Sequence, residues 1–89
     1  MKALLDNLTA AGVHTLLVHF TDIHGVAKGK LVPLAHLDDV LTVGAGFSGP
    51  SIAGTGLART GSRSEYMARA AASTARPLPW QPGVAAIVA

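Results

Sequence analysis

Val13–Leu34, VHTLLVHFTDIHGVAKGKLVPL, is the stretch that decides the fold. Leu16, Val18 and Phe20 alternate with Thr15, Leu17 and His19, the period-two pattern of a strand. Both sets are substantially apolar, which places this strand in the middle of its sheet. Asp22 opens a turn and Gly25 closes it. VAKGKLVPL follows as a second strand, with Lys28 and Lys30 on one side, Gly29 between them and Pro33 at the end. A proline and two lysines suit an edge strand, so the segment predicts an antiparallel hairpin with one central and one edge strand.

Working outward, Leu4, Leu5, Leu8 and Ala11 recur at helical spacing ahead of the hairpin, and Gly12 marks the end of a short helix over about residues 2–11. Beyond Pro33 the period turns helical again. Leu34, Leu37, Val40 and Leu41 share a side, Asp38 and Asp39 sit in the early turns where negative charge favours the helix dipole, and Gly44 ends the helix. GAGFSGPSIAGTG, Gly44–Gly56, holds five of the ten glycines and reads as a loop. SEYMARA is short enough for a strand. ASTARPLPWQPG, with three of the five prolines, reads as a rigid connector anchored by Trp80, and VAAIVA reads as a buried strand.

This order predicts an α+β roll, with a mixed sheet of about four to five strands and a helix packed on one face. If the last strand lies beside the first, the pair is parallel and the arrangement is a β-grasp, or ubiquitin-like roll. The 89 residues form one domain, the grasp occupying 13–89.

Composition narrows the function classes. The chain is 49% apolar and only 13% charged, with mean hydropathy +0.42, which is oily for a small domain and leaves apolar surface for a partner. The net charge is +2. Arg59, Arg63, Arg69 and Arg76 cluster late with only Tyr66 and Trp80 near them as stacking residues, so a solvated basic face is expected rather than a nucleic-acid surface. With no cysteine there is neither a disulfide nor a thiolate metal site. Apolar runs fall far short of the ~20 residues of a membrane span, and no clear cleavage pattern follows the N-terminal lysine; a cytoplasmic chain without membrane attachment is expected.

The chemistry-bearing residue types form no self-contained active site. Gly44–Gly56 contains no lysine, which a phosphate-binding P-loop requires, and a helix rather than a strand leads into it, unlike a dinucleotide fingerprint. His14, His19, His24 and His36 lack metal-ligand helical spacing. The serines form no Gly-x-Ser-x-Gly elbow, Asp38 and Asp39 point to different sides of a helix, and Asp22 is a turn former. No metal and no catalytic residue is expected on this chain alone.

Taken in order, the residues resemble a known family. VHFTDIHGVAKGKLVP is similar to the opening hairpin of glutamine synthetase, through its Asp22, Gly25, Lys28-Gly29-Lys30 and Pro33. GAGFSGPSIAG resembles that family's Gly-Phe-x-Gly-Ser-Ser-Ile-x-Gly loop, through Gly46, Phe47, Gly49 and Ser51. SEYMARAAASTARPLPWQPGVAAIV resembles its Ser-Asp to Ser-Thr stretch and its Leu-Pro-Trp-x-Pro-Gly, through Pro79 and Trp80. The likeness covers about residues 13–88 and lies nearest the type III, glutamine synthetase-like branch.

The resemblance implies an N-terminal β-grasp domain of a cytoplasmic oligomeric ligase of nitrogen metabolism and glutamine biosynthesis. It implies that ATP and Mg or Mn belong to a larger catalytic domain absent here. The glycine loop, Gly46, Phe47, Ser48, Gly49 and Ser51, would then close the ammonium and glutamate end of a neighbouring subunit's site. Several positions depart from the family. Ser48 stands where many members carry an acid that binds and deprotonates ammonium, Thr55 where some carry tryptophan, and Ala70-Ala71 where Pro-Asp is usual. Three readings follow: a domain inactive by itself, a working piece of an enzyme whose catalytic domain lies on another chain, and a self-assembling module that reused the oily face. A ubiquitin-like carrier is disfavoured, because the chain ends AIVA without a Gly-Gly tail.

Overall fold

In a computed structural model, which describes residues 2–48 and 65–89, the hairpin is the frame on which the rest is hung. Strand β1 (Thr15–Thr21) pairs antiparallel with β2 (Ala27–Pro33), and Thr15 faces Pro33 while Thr21 faces Ala27. The turn between them is closed by Asp22, whose Oδ1 accepts the backbone N–H of His24 at 2.9 Å and of Val26 at 3.0 Å. This is the side-chain mimicry of a backbone turn that Asp favours.

The chain's last strand, β6 (Val84–Val88), lies parallel to β1 on its other side. A two-residue strand, β5 (Arg76–Pro77), completes a four-stranded sheet of order β2-β1-β6-β5. β1 is therefore central, β2 is an edge, and the parallel central pair gives the β-grasp arrangement. Helix α1 (Lys2–Ala10) ends as Gly12 implies: the N–H of Gly12 reaches Thr9 O at 3.0 Å and that of Val13 reaches Leu8 O at 2.9 Å, the paired bonds of a Schellman stop.

Side-chain alternation sorts the core into two layers. Leu16 and Val18 of β1, with Ala85 and Ile87 opposite them on β6, face Leu8 of α1 and Leu34, Leu37 and Val40 beyond β2. On the other face Leu17 and Ala86 stand opposite each other and pack with Val84 and Leu78. Both faces of the central strands are thus covered, which is why β6 is apolar throughout and β1 is apolar on both faces over Leu16–Val18.

The segment after Pro33 starts as a 3₁₀ turn, Leu34–His36, before becoming α2 (Leu37–Thr42), with Asp38 and Asp39 in its first turn. Gly44 then stops it with φ +107°, its N–H on Asp39 O at 2.8 Å. Thr74, in a 3₁₀ turn over Ala72–Thr74, accepts the N–H of Val88 at 2.9 Å and donates to Ala71 O at 2.7 Å, which ties the end of β6 to the connector.

Three sequence expectations need correction. The stretch after Gly44 is not loop from the outset: Ala45–Ser48 is strand β3, paired antiparallel with β4 (Glu65–Ala68) in a separate two-stranded ribbon. The connector contains the short strand β5, which a proline-rich segment does not advertise. Trp80 does not anchor that connector, being 76% exposed; the buried anchor is Leu78.

Candidate functional site

The ribbon is where the sequence-predicted site residues lie. β3 carries Gly46, Phe47 and the backbone of Ser48, in register with Met67, Tyr66 and Glu65 of β4. Gly49, Ser51 and Thr55 lie outside the described residues, as do Arg59 and Arg63.

Four features position the ribbon. At its base, Gly44 runs so close to β4 that a Cβ there would sit 2.8 Å from the carbonyl carbon of Ala68. Further along, the ring of Phe47 meets the ring of Phe20 on β1 edge to face, with centroids 4.9 Å apart and planes at 83°. Between these points Lys30 of β2 donates from Nζ to Gly46 O at 3.0 Å. Ala70, just past β4, donates its N–H to Val40 O at 3.1 Å and ties the ribbon's exit to α2.

The space enclosed by β2, α2 and the start of β3 is an open cleft of about 260 Å³ lined by Lys30, Pro33, His36, Asp39 and Gly46 among others. His36 Nδ1 lies 3.7 Å from Asp39 Oδ2, but both side chains are more than half exposed, so the pair is a surface contact of little energetic weight.

The hairpin's motif residues fall into two groups. Asp22 organises the turn, with Gly25 donating its N–H to Asp22 O at 3.0 Å, and Lys28 Nζ lies 4.0 Å from Asp22 Oδ2. Lys30 leaves the hairpin for the ribbon. Pro79 and Trp80 are separate from both: they sit on the connector, and Trp80 borders a shallow groove of about 400 Å³ on the opposite sheet face, with Leu17, Gly29, Arg76 and Leu78.

The histidines are dispersed. His14 Nδ1 pairs with Thr15 Oγ1 at 2.8 Å, His19 lies on β1, and His24 and His36 lie in turns. Among the described residues no three of His, Cys, Asp and Glu cluster so as to hold a metal ion, and no helix is long and apolar enough to cross a membrane. The described contacts hold the backbone of β3 against the hairpin and the base of the ribbon against α2.

Two positioning contacts escaped the sequence reading. Phe20 and Phe47 are the chain's only phenylalanines, and that they meet had no local signal, being 27 residues apart (47 − 20). Lys30 reads as an edge-strand charge, and its reach to β3 depends on the ribbon's placement.

No family model matches the chain. Over 75 residues, 84% of its length, it is 48% identical to the glutamate–methylamine ligase of Methyloversatilis universalis strain FAM5. That match takes in 17% of the ligase. Two solved structures superpose over 99% of this chain and 20% of theirs at 30% identity: a GmaS/ADP complex in conformation 1, with TM-score 0.80, and apo GmaS without ligand, with TM-score 0.82. The chain spans about a fifth of the length of these relatives.

Proposed function

We infer the function from one premise: the chain is a glutamine synthetase-like β-grasp domain, related at 48% identity to a glutamate–methylamine ligase over a small part of that enzyme. We propose that it is the N-terminal domain of an ATP-dependent glutamate–amine ligase, that it is inactive alone, and that it completes an active site centred on another domain. The observation that carries this reading is the separate β3–β4 ribbon. It lifts the start of the glycine segment out of the main sheet and fixes it from three sides.

Joining an amine to the glutamate side-chain carboxylate requires activation of that carboxylate, which in this chemistry is an acyl phosphate formed from ATP with divalent metal. Such a metal takes clustered oxygen ligands. We assign the nucleotide and metal steps to the catalytic domain, as the family resemblance implies, and route none through this chain. Its part is to shield the reacting centre from water and to shape the amine end of the site.

The amine follows from Ser48. A carboxylate at that position would hold a compact cation and help remove its proton; a serine is neutral, smaller and cannot act as a base at neutral pH. That difference and the likeness to a glutamate–methylamine ligase point to a small primary alkylamine as substrate. The exposed apolar side chains Ile23, Leu31 and Trp80 fit a domain that buries surface against the rest of an oligomeric enzyme.

The test is reassembly. A glutamate–methylamine ligase truncated to remove the matching domain is mixed with this chain, and formation of the γ-glutamyl methylamide is followed with ATP, Mg²⁺, glutamate and methylamine. Activity that needs both pieces, with methylamine preferred over ammonia, is the expected result. Absence of both binding and activity would sink the proposal. Homo-oligomers of the chain alone in native mass spectrometry would favour a self-assembling module instead.

A further inference from the structure

We propose that Lys30 is a positioning residue: its ammonium holds strand β3 against the hairpin and so sets the place from which the glycine segment departs. What that placement serves rests on the functional reading above; the latch itself rests on geometry alone.

The register of the hairpin puts Lys28 opposite Phe20 and Lys30 opposite Val18. Directly opposed residues share a face, so both lysines lie on the helix side of the sheet with the main core. Gly29, between them, faces the other way, where a Cβ would come within 3.2 Å of Leu17 Cδ1. The Lys-Gly-Lys run is thus two-sided: a position crowded by Leu17 on one face, two long cationic stems on the other.

Those stems have different destinations. Lys28 stays within the hairpin, its Nζ 4.0 Å from the Asp22 carboxylate. Lys30 crosses 16 residues of sequence to Gly46 O at 3.0 Å. That carbonyl is in the middle of β3, whose ladder partner is β4 and not any strand of the main sheet. The ribbon is tied to α2 only at its base, where β3 begins and β4 ends, through Gly44 N–H to Asp39 O and Ala70 N–H to Val40 O. The middle of β3 is met from the hairpin, by the Lys30 ammonium and by the Phe20 ring on Phe47.

A lysine suits this task physically. Its four-carbon stem lies along apolar surface while the ammonium reaches outward, and a charged donor to a carbonyl makes a stronger bond than a neutral one. The ring contact is non-directional along the strand, whereas the hydrogen bond names one carbonyl and thereby fixes β3 along its own axis. A ribbon that slid along its axis would carry Ser48 with it.

The experiment uses the 89-residue chain, isotopically labelled, as wild type, Lys30→Met and Lys30→Arg. Methionine keeps an apolar stem without a donor, and arginine restores one. Native-state amide exchange of β3 and β4 is expected to accelerate about five- to tenfold in Lys30→Met, with α1 and β6 unchanged and Lys30→Arg close to wild type. Unchanged β3 and β4 rates overturn the latch. So does an equal acceleration in β6, which would mark a general loss of stability. In the unmutated chain a through-bond coupling between Lys30 ¹⁵Nζ and the Gly46 carbonyl carbon is expected at low temperature, and its absence overturns the latch even if Lys30→Met does not fold. Should the latch hold while reassembly gives no ligase activity, the functional reading falls and the positioning role stands.

Discussion

Phe20 and Phe47 meet edge to face at 4.9 Å, and this contact joins the central strand of the main sheet to a ribbon that shares no ladder with it. Edge-to-face pairs add about 0.5–1.5 kcal/mol beyond the area they bury. A double-mutant cycle with Phe20→Leu and Phe47→Leu, read by urea unfolding, should therefore give a coupling of about 1 kcal/mol. A coupling indistinguishable from zero would mean that the ribbon does not pack on β1.

Gly44 and Gly12 both stop a helix, yet their substitution should differ. Each has positive φ, +107° and +80°, but a Cβ at Gly12 meets nothing within 4 Å while one at Gly44 meets the backbone of Ala68 at 2.8 Å. Gly12→Ala should cost about 1 kcal/mol, the conformational term alone. Gly44→Ala adds a backbone collision that no rotamer change relieves, and should cost about 3 kcal/mol or more. Equal costs in equilibrium unfolding would contradict the close approach.

Leu78→Ala and Trp80→Ala test which residue fixes the connector. Leu78 is 8% exposed and packs with Val84, Ala86 and Leu17, whereas Trp80 is 76% exposed. The leucine truncation should cost about 2–3 kcal/mol and the tryptophan truncation less than about 0.5 kcal/mol, by thermal or urea unfolding of the chain alone. In the reassembly proposed above the order should invert for binding, because an exposed indole is the kind of anchor that interfaces bury.

The same pair shows where sequence reading stops. Hairpin, helix stops and final strand were legible because each leaves a local signature: alternation in Thr15–Thr21, a turn acid at Asp22, glycine at 12 and 44, and an uncharged run at Val84–Val88. The connector has no period, so the larger apolar residue looked like its anchor, although the sheet face offered space to Leu78 instead. β3 was hidden for a related reason. Ala45–Ser48 contains one large side chain in four, and its strand conformation is set by β4, whose pairing is non-local. For the site, the motif residues could be named from the family resemblance, but Lys30 and Phe20 became its supports only once the ribbon was placed.

Asp22→Ala should cost about 1–2 kcal/mol, since the carboxylate accepts two turn N–H groups and its side chain is only 3% exposed. Asp22→Asn keeps an acceptor oxygen for both bonds and should recover most of that loss. Unfolding midpoints of the two variants decide the point: equal losses would assign the role of Asp22 to its charge facing Lys28 rather than to the turn.

Ser48→Asp tests the amine assignment in the reassembled ligase. A carboxylate there brings negative charge and bulk together, favouring a compact ammonium and crowding a methyl group. One methyl is worth about 10–200-fold in a fitted pocket, so the ratio of kcat/KM for methylamine over ammonia should fall about tenfold or more. Ser48→Asn separates the causes: it adds nearly the same bulk without charge. If selectivity shifts with aspartate and only weakly with asparagine, charge at position 48 governs the amine. If both shift equally, volume does. If neither moves the ratio while activity persists, Ser48 does not face the amine, and the substrate preference must be set by the catalytic domain.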